Sequence, residues 1–321
     1  MDIVCCLDRG YVMPISVMVC SLCENNRNED VIFHVMHNDL TVKEKNGLKK
    51  IADKYGKEMF FYDVNHNYLK NISIGNKGQQ KLSISTYYRL FICDVLPKHI
   101  KKVIYLDGDI VVCDNLKKFW DIDVENMALA GVPDDNLCFG NIKQTYNQLR
   151  YSPKLGYFNA GVLLINLRYW RENNVISDFN DLIGSKKIFI HHDQDILNSV
   201  FCEKKLFVPL GYNLMPGFLL KPQCRNISWE YDEEIERAAK NPFIIHYAGI
   251  KPWYKECDHP YKQEFLKYKA LTEWSKTPLR TDFKMRIKRV MKKVLLYFGL
   301  LDENRMPSWR YAYDDLKNKQ K

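Results

Sequence analysis

Short apolar runs alternate with amphipathic stretches along most of the chain. The first run, Met1–Leu7, has the composition of a buried strand, and the stretch that follows, Met13–Asn25, is predicted to be a helix. Thr41 and Glu44 form a capping-box sequence, which predicts a second helix from there towards Tyr55. This alternation favours an α/β fold, with a doubly wound and mostly parallel sheet of Rossmann-like type. Further strands are predicted at Val31–His37, Glu58–Val64, Lys102–Leu106, Met127–Val132, Tyr157–Asn166 and Phe243–Tyr247, and further helices at Ser85–Leu96, Arg168–Leu182 and Gln194–Phe201.

Polar side chains directly follow several of the predicted strands. Asp8 follows the first strand, Asp107 and Asp109 follow the strand before them, and His246 ends a late strand. In open α/β sheets, ligands bind beyond the carboxyl ends of the strands. We therefore expect these four residues, which are far apart in sequence, to meet in one crevice.

Asp107 and Asp109 are candidate metal ligands. They flank a glycine, and side chains two residues apart in an extended chain point to the same side. Two such carboxylates repel each other unless a cation lies between them, and hard divalent ions prefer oxygen ligands. His246 supplies an imidazole, which suits Mn²⁺. The alternative interpretations are an Asp-rich surface turn and a core histidine, but an Asp pair between apolar strands is costly without a partner.

Other polar residues suit the binding of a phosphorylated sugar. Gly249 allows a backbone N–H to approach an anion, and Lys251 adds a point charge that suits phosphate. Asn159 offers a donor and an acceptor together, as sugar hydroxyls require. Asp193 and Gln194 precede a helix that is predicted to start near Asp195, so they are expected to point into a pocket. Arg89 lies on a predicted helix face ahead of the Asp107 strand.

The charge of the chain is concentrated at its carboxyl end. The 321 residues carry a formal net charge of +9, and residues 275–321 hold 13 of the 48 basic residues but only 5 of the 39 acidic ones. The remainder is close to neutral, which argues against a nucleic-acid enzyme with a broad basic face. No signal-like segment and no apolar run of about 18 residues is present, and most of the ten cysteines lie in apolar runs. We therefore expect a cytoplasmic protein with reduced cysteines.

The carboxyl-terminal tail, residues 275–321, contains a basic amphipathic stretch. Its apolar residues recur at helical spacing, and lysines and arginines occupy the other faces. Such a helix is typical of a membrane-surface anchor. The alternative is a basic helix packed on its own domain. The apolar stripe consists of Phe283, Ile287, Val290, Met291, Val294, Leu295 and Phe298.

Taken together, these motifs resemble family 8 of the retaining nucleotide-sugar glycosyltransferases, especially the bacterial lipopolysaccharide galactosyl- and glucosyltransferases. The resemblance implies a fold of glycosyltransferase A type over residues 1–274, a UDP-galactose or UDP-glucose donor, and Mn²⁺ with Mg²⁺ as a substitute. It also implies a glycan or glycolipid acceptor and attachment of residues 283–298 to the inner face of the cytoplasmic membrane. The matching stretches are Met1–Tyr11, Ser83–Leu90, Tyr105–Val112, Phe158–Leu167, Asp193–Asn198 and His246–Trp253.

The resemblance also implies roles for individual residues. It places Asp8 on the uracil ring, Tyr11 beside the nucleotide, and Gln194 on the reacting face of the anomeric carbon. The metal ligands would be Asp107, Asp109 and His246, and Asp107 would also touch the ribose. Diphosphate contacts would come from Gly249 and Lys251, and donor-sugar contacts from Arg89, Asp134, Asn159 and Asp193.

The chain departs from the family pattern at four places. Gly108 stands where an apolar residue is common, and Lys81 stands where some relatives have a histidine that contacts the diphosphate. The spacing from Gly249 to Lys251 is one residue shorter than in some relatives, and residues 135–156 resemble no assigned segment of the family. These departures leave the metal ligands themselves in place.

The identity of residue 194 bears on how configuration would be retained. Double displacement needs a carboxylate nucleophile, and the amide of Gln194 is a poor one, so front-face attack is favoured. Asp193 is the second candidate nucleophile. Two other function classes are compatible with such a sheet: a nucleotide-sugar hydrolase or nucleotidyltransferase, and a non-catalytic nucleotide-sugar-binding module.

Overall fold

A mixed sheet of seven strands forms the centre of the computed structural model, which describes residues 1–64, 84–135, 142–149, 151–185, 189–222, 231–249, 251–300 and 308–311. Its first part is a set of parallel strands connected by helices, as the sequence predicts. The capping box is confirmed, because the Thr41 side chain accepts from the Glu44 N–H and the Glu44 carboxylate accepts from the Thr41 N–H. These elements are β1 (Asp2–Cys6), α1 (Val12–Asn25), β2 (Ile32–His37), α2 (Val42–Lys54) and β3 (Glu58–Asp63).

The segment predicted as one helix, Ser85–Leu96, has a different form. Residues Ile84–Phe91 form a 3₁₀ helix, and only Ile92–Val95 forms a turn of α-helix, named α3. Its sequence includes Thr86 and the aromatic pair Tyr87 and Tyr88, which have low helix propensity. The length of this segment and the spacing of its apolar residues do not distinguish a 3₁₀ helix from an α-helix.

The second part of the sheet contains one strand that reverses direction. The strand order is β3-β2-β1-β4-β7-β6-β8, with β4 (Lys102–Leu106) parallel to β1. β7 (Phe158–Asn166) runs antiparallel to both of its neighbours, β4 and β6 (Leu129–Pro133). The sheet is therefore mostly parallel, as predicted, with a central antiparallel strand that the sequence pattern does not reveal. β8 (Lys205–Phe207) pairs in parallel with β6 at the edge.

The reversal of β7 brings two remote polar residues to the same edge of the sheet. The N–H of Asp134, just after β6, donates to the carbonyl of Tyr157, just before β7, at 3.0 Å. The end of β6 therefore lies beside the beginning of β7. As a result, Asp134 and Asn159 share the edge that also carries the carboxyl ends of β1 and β4.

A second, two-stranded sheet holds the remaining strand ends. β5 (Ile110–Val112) pairs antiparallel with β9 (Ile244–His246), and Ile110 lies opposite His246. The predicted strand Phe243–Tyr247 is thus present in shortened form. Because β5 begins one residue after Asp109, this pairing brings His246 beside the Asp107–Asp109 motif.

Side chains alternate between the two faces of the main sheet. In β4, Ile104 and Leu106 belong to one apolar cluster, and Val103 and Tyr105 belong to the other. Every residue of β7 is buried. The remaining helices are α4 (Lys117–Trp120), α5 (Ile142–Leu149), α6 (Leu167–Glu172), α7 (Val175–Gly184), α8 (Asp193–Val200), α9 (Asp232–Lys240), α10 (Lys262–Lys269) and α11 (Phe283–Tyr297), with short 3₁₀ helices at Arg9–Tyr11, Pro153–Leu155, Leu210–Asn213 and Pro216–Leu219.

Helix α11 projects its apolar stripe into solvent. Asp282 caps it by accepting from the Met285 N–H at 3.0 Å, and none of its residues is buried. Six of the seven stripe residues are 44–69% exposed, and the seventh, Leu295, is half-buried. The described part of the chain therefore does not pack on the stripe. Residues 301–307 and 312–321 of the predicted tail lie outside the described residues.

The chain is fastened to the body on both sides of α11. Before the helix, Arg280 forms a bridge with Tyr254, and after it Trp309 forms a bridge with Leu220. No helix among the described residues has both the length and the apolar character needed to cross a bilayer. The eight cysteines in the described part of the chain are free thiols.

Candidate active site and metal centre

A cavity of about 710 Å³ opens at the edge of the main sheet where these strand ends meet. Its wall combines residues from β1, β4, the start of β7 and the start of α8. Most of the site residues predicted from the sequence contribute to it. They are Asp8, Tyr11, Arg89, Asp107, Asp109, Asp134, Asn159, Asp193 and Gln194.

Asp107, Asp109 and His246 form a cluster that fits a divalent ion. One ligand atom from each residue can be chosen so that all lie within 4.8 Å of one another. Asp109 and His246 are buried, and Asp107 is half-buried. Two carboxylates and an imidazole are a donor set that suits hard and borderline divalent metals. The three residues predicted as metal ligands are therefore brought together.

Gly161 in β7 forms the floor of this cluster. A Cβ at residue 161 would lie 2.5 Å from Cε1 of His246 and 2.9 Å from Oδ2 of Asp107. No side chain fits there without displacing those two groups. The glycine thus allows the histidine and the carboxylate to approach from the same side of the strand.

Lys251 is joined directly to the metal cluster. Its ammonium forms an ion pair with Asp109 and donates to the carbonyl of Tyr247 at 3.0 Å. Burial by itself raises the pKa of Asp109, but the charges of Lys251 and His246 outweigh burial and hold that pKa well below its usual range. Gly249 has a φ of +89°, a conformation that favours glycine.

The guanidinium of Arg89 connects three separate segments of the chain. Nη2 donates to Oδ1 of Asp107 at 2.8 Å, Nη1 donates to the carbonyl of Ala160 at 2.6 Å, and Nε lies 2.8 Å from Oδ2 of Asp193. The group also lies over the ring of Tyr105, 4.5 Å from its centroid. Arg89 is 6% exposed and Asp193 is 3% exposed. Burial raises the pKa of Asp193 to about 7 despite the opposing charge of Arg89.

Gln194 is held at both ends of its amide. Oε1 accepts from the N–H of Ala160, and Nε2 donates to Oδ2 of Asp134, both at 2.9 Å. The same Asp134 oxygen accepts from Nδ2 of Asn159 at 2.9 Å. Asp134, Asn159 and Gln194 therefore form one hydrogen-bonded group on the cavity wall.

The helix that carries Gln194 starts earlier than predicted. α8 begins at Asp193 rather than near Asp195, and Asp195 is buried, where it accepts from Tyr157 and from the N–H of His191. His192, just before the helix, has φ +53° and ψ −121°. Such a backbone conformation is costly for a residue other than glycine, and it is typical of sites where side chains must be aimed.

Asp8 and Tyr11 lie at the opposite wall of the cavity. Oδ1 of Asp8 accepts from the N–H of Gly10 at 2.7 Å and caps the short helix Arg9–Tyr11. A Cβ at Gly108 would lie 2.9 Å from Cδ1 of Tyr11. The departure from the family pattern at residue 108 is therefore matched by the close approach of the tyrosine ring.

Several site residues carry no sequence signal. Tyr105 donates to Oδ1 of Asp107 at 2.7 Å, and Asn213 lies beside His246. Asp135 also lines the cavity, and burial together with the charge of Asp134 raises its pKa to about 7. Arg280 reaches the cavity from the segment before α11. Tyr105 opens the matching stretch Tyr105–Val112 and Asp135 follows Asp134, so both could have been suspected, but Asn213 and Arg280 lie outside any recognisable motif. Two of the departures from the family pattern fall partly or wholly outside the described part of the chain: Lys81, and residues 136–141 and 150 of the segment 135–156.

Comparison with known proteins identifies the family. The sequence model described as glycosyl transferase family 8 matches residues 2–257. The chain belongs to this family. The matched range ends before α10 and α11, so the tail is not part of it.

Curated relatives and solved structures agree with this family. The chain is 26% identical to general stress protein A of Bacillus subtilis over 284 residues, which cover 86% of this chain and 95% of that protein. It is 26% identical to a lipopolysaccharide 1,2-glucosyltransferase of Escherichia coli over 91% of this chain and 84% of the relative. The galactosyltransferase LgtC, solved with donor and acceptor sugar analogues, has a similar fold, with a TM-score of 0.75, 24% identity, and coverage of 90% of this chain and 100% of that structure. The predicted family and the glycosyltransferase A fold are confirmed.

We predict that Gly161→Ala weakens metal binding in a protein that still folds. The added methyl group would displace His246 or Asp107, so the dissociation constant for Mn²⁺ is expected to rise by about tenfold or more. The free Mn²⁺ remaining in a titration can be measured by electron paramagnetic resonance. Gly184→Ala in α7 is the matched control, because no atom lies within 4 Å of its added Cβ. Equal Mn²⁺ affinity of both variants would contradict the assignment of the cluster.

Proposed function

We propose that this family 8 glycosyltransferase moves galactose or glucose from a UDP-sugar to a glycan, with retention of anomeric configuration and with Mn²⁺ as cofactor, for which Mg²⁺ substitutes. The observation that carries the proposal is the meeting of the Asp107–Asp109–His246 cluster with the Asp134–Asn159–Gln194 group in one cavity. A metal-diphosphate subsite beside a polar sugar subsite is what such a transfer requires. The relatives that act on lipopolysaccharide favour a lipopolysaccharide-type or other cell-surface glycan as acceptor.

The charge of the cavity explains why the donor needs a metal. Six aspartates and only two arginines, Arg89 and Arg280, line the cavity, and a nucleotide diphosphate is itself an anion, so an added cation would lower the repulsion between them. Asp107, Asp109 and His246 would hold the metal, which acts as a Lewis acid on the departing diphosphate when bound. The carboxylates are Asp8, Asp107, Asp109, Asp134, Asp135 and Asp193.

The protein contributes its own groups to donor binding. Lys251 lies against Asp109, so its ammonium would face the phosphates of a metal-bound diphosphate, and the positive φ of Gly249 would turn a backbone N–H towards the same anion. Asp8 would accept a hydrogen bond from the uracil ring, with Tyr11 beside the nucleotide. These assignments follow the family pattern. Their support is that Asp8 and Tyr11 line the same cavity as Asp109, and that Lys251 is paired with Asp109.

The sugar end of the cavity favours front-face attack. Arg89, Asp193, Asn159 and Asp134 would surround the donor sugar, and Gln194 would stabilise the developing positive charge on the anomeric carbon. Asp193 is a weak candidate nucleophile, because it is buried and its carboxylate lies against the guanidinium of Arg89. The incoming hydroxyl would therefore attack from the face that the leaving UDP vacates.

Product analysis tests the proposed function. A panel of radiolabelled UDP-hexoses is incubated with Mn²⁺, first alone and then with lipopolysaccharide core oligosaccharides. We expect slow sugar release alone and transfer to the oligosaccharide when it is added. Asp109→Ala should lower transfer by roughly 10²–10³-fold, because the charge that stabilises the leaving group is lost. Release that never becomes transfer would indicate a hydrolase, and binding without turnover would indicate a binding module.

We predict that Gln194→Ala lowers the turnover number and leaves UDP affinity within about twofold. The Gln194 amide contacts Asp134 and Ala160 on the cavity wall, away from the nucleotide residues Asp8 and Tyr11. Loss of one transition-state hydrogen bond of about 1–3 kcal/mol corresponds to roughly a fivefold to 150-fold lower turnover. Steady-state kinetics and UDP titration separate the two effects. A sugar trapped covalently on Asp193 would contradict front-face attack.

The enzyme also docks on the inner face of the cytoplasmic membrane through residues 283–298, where a lipid-linked acceptor would lie. Support comes from the exposed apolar stripe of α11 and from the basic residues on its other faces. Burial of the stripe contributes about 25 cal/mol per Å². Each flanking lysine or arginine adds roughly 1 kcal/mol near anionic lipid. In the proposed function, residues 1–274 are the catalytic domain and residues 275–321 are the membrane-associating tail.

We predict that Val290→Asp combined with Val294→Asp abolishes co-sedimentation with phosphatidylglycerol vesicles and preserves UDP-sugar hydrolysis. Both valines are exposed, so the fold should be unaffected. These substitutions test membrane docking more specifically than truncation after Trp274, because truncation would also remove the cavity residue Arg280. Val42→Asp, at another exposed valine, is the matched control and should sediment like the wild type. Unchanged vesicle binding by the double variant would contradict membrane docking by this helix.

A further inference from the structure

The amide of Asn213 connects the histidine of the metal cluster to the polar group around Gln194. Its Oδ1 lies 2.9 Å from Nδ1 of His246, and its Nδ2 lies 2.9 Å from Oδ1 of Asn159. Asn213 is fully buried at the end of the 3₁₀ helix Leu210–Asn213. An amide in this position can act on the metal site without being a metal ligand.

The backbone holds Asn213 in a fixed position relative to His246. The N–H of Leu214 donates to the carbonyl of Ile244 at 2.9 Å, and the N–H of His246 donates to the carbonyl of Leu214 at 3.0 Å. The residue that follows Asn213 is thus paired with both ends of β9. Asn213 and the imidazole are therefore placed by the same pair of segments.

Two groups at the far end of this connection fix the direction of its hydrogen bonds. The N–H of Gly161 can only donate, and it donates to Oδ1 of Asn159 at 2.9 Å. The carboxylate of Asp134 accepts from Nδ2 of Asn159 at 2.9 Å. Oδ1 of Asn159 is therefore an acceptor, so the group of Asn213 that faces it must be the NH₂. The carbonyl oxygen of Asn213 then faces His246.

The direction of these bonds decides which imidazole nitrogen carries the proton. Because Oδ1 of Asn213 can only accept, Nδ1 of His246 must donate, and the lone pair of the neutral ring lies on Nε2. Nε2 is on the side of the ring that faces Asp109, 3.6 Å from its Oδ1. That is the nitrogen that a metal held by Asp107 and Asp109 would take.

We propose that Asn213 is a positioning residue that keeps His246 in the Nδ1–H tautomer, with Nε2 available to the metal. This inference rests on the proposed metal-dependent function. The same Asp134 oxygen that orients Asn159 also accepts from Gln194, so one set of hydrogen bonds orders the metal ligand and the residue at the reacting carbon. Replacing a hydrogen-bond partner of a metal-bound histidine lowers metal affinity by about 10–100-fold.

The test measures Mn²⁺ binding by electron paramagnetic resonance without any nucleotide or acceptor. Asn213→Leu keeps the side-chain size and removes both hydrogen bonds, so its dissociation constant should rise by about tenfold to a hundredfold. Asn213→Asp keeps an acceptor beside Nδ1 but loses the NH₂ that donates to Asn159, so it isolates the contact with His246. Its dissociation constant should stay within about threefold of the wild type, since carboxylate–histidine–metal arrangements preserve the ring orientation. Circular dichroism and thermal melting establish which variants are folded.

Asn166→Leu is the matched control. Asn166 is also buried and donates to backbone carbonyls, among them that of Val124 at 2.8 Å, but it lies at the opposite end of β7. Loss of its amide should lower the melting temperature without changing Mn²⁺ affinity. A similar loss of affinity in this variant would show that the effect of Asn213→Leu is only destabilisation, and would overturn the inference.

The remaining outcomes separate the inference from the function on which it rests. Two results overturn the inference and leave the proposed function standing. The first is a folded Asn213→Leu variant that binds Mn²⁺ as tightly as the wild type. The second is an Asn213→Asp variant whose Mn²⁺ affinity is as low as that of Asn213→Leu. If Asn213→Leu does not fold, Asn213→Ala, which also removes both hydrogen bonds, takes its place with the same expected loss of affinity. If the Asp109→Ala variant binds Mn²⁺ as tightly as the wild type, the metal site and the proposed function are overturned together.

Discussion

The candidate active site depends on the ion pairs that the buried guanidinium of Arg89 makes with Asp107 and Asp193. The guanidinium neutralises Asp107 and Asp193, which come from the end of β4 and the start of α8, and it binds the carbonyl of Ala160 in β7. A buried carboxylate and a half-buried one, both within reach of the same guanidinium, would otherwise repel each other. One cation therefore fixes the relative positions of three segments that together form the sugar end of the cavity.

The reversal of one strand complements this ion network. In a purely parallel sheet, the beginning of β7 would lie at the edge opposite the site. Because β7 is antiparallel to β4 and β6, Asn159, Ala160 and Gly161 lie at the carboxyl edge instead. These residues supply an amide, a backbone N–H and carbonyl, and the open floor beneath His246. The topology thus places the metal cluster and the Gln194 group in contact through one strand.

Charge and shape divide the molecule into two working surfaces. The cavity concentrates carboxylates and relies on cations, whereas the tail concentrates lysines and arginines around an exposed apolar stripe. Arg280 belongs to both regions, because it lines the cavity and precedes α11 by a few residues. In the proposed function, the enzyme holds an anionic donor in one surface and faces a lipid-linked acceptor with the other.

Local patterns in the sequence predicted most of the elements, the family and the candidate metal ligands. These patterns involve residues that are close together in the sequence, so they can be recognised before the chain is folded. They are the capping box at Thr41, the alternation of strands and helices, and the pair Asp107 and Asp109. Tertiary structure alone decided the reversal of β7 and the position of Asn213, which belongs to no motif. Strand direction depends on which segments pair. The role of Asn213 depends on hydrogen bonds to His246, which is 33 positions later in the chain, and to Asn159, which is 54 positions earlier. Such contacts have no periodicity, so they emerge only when the chain is folded.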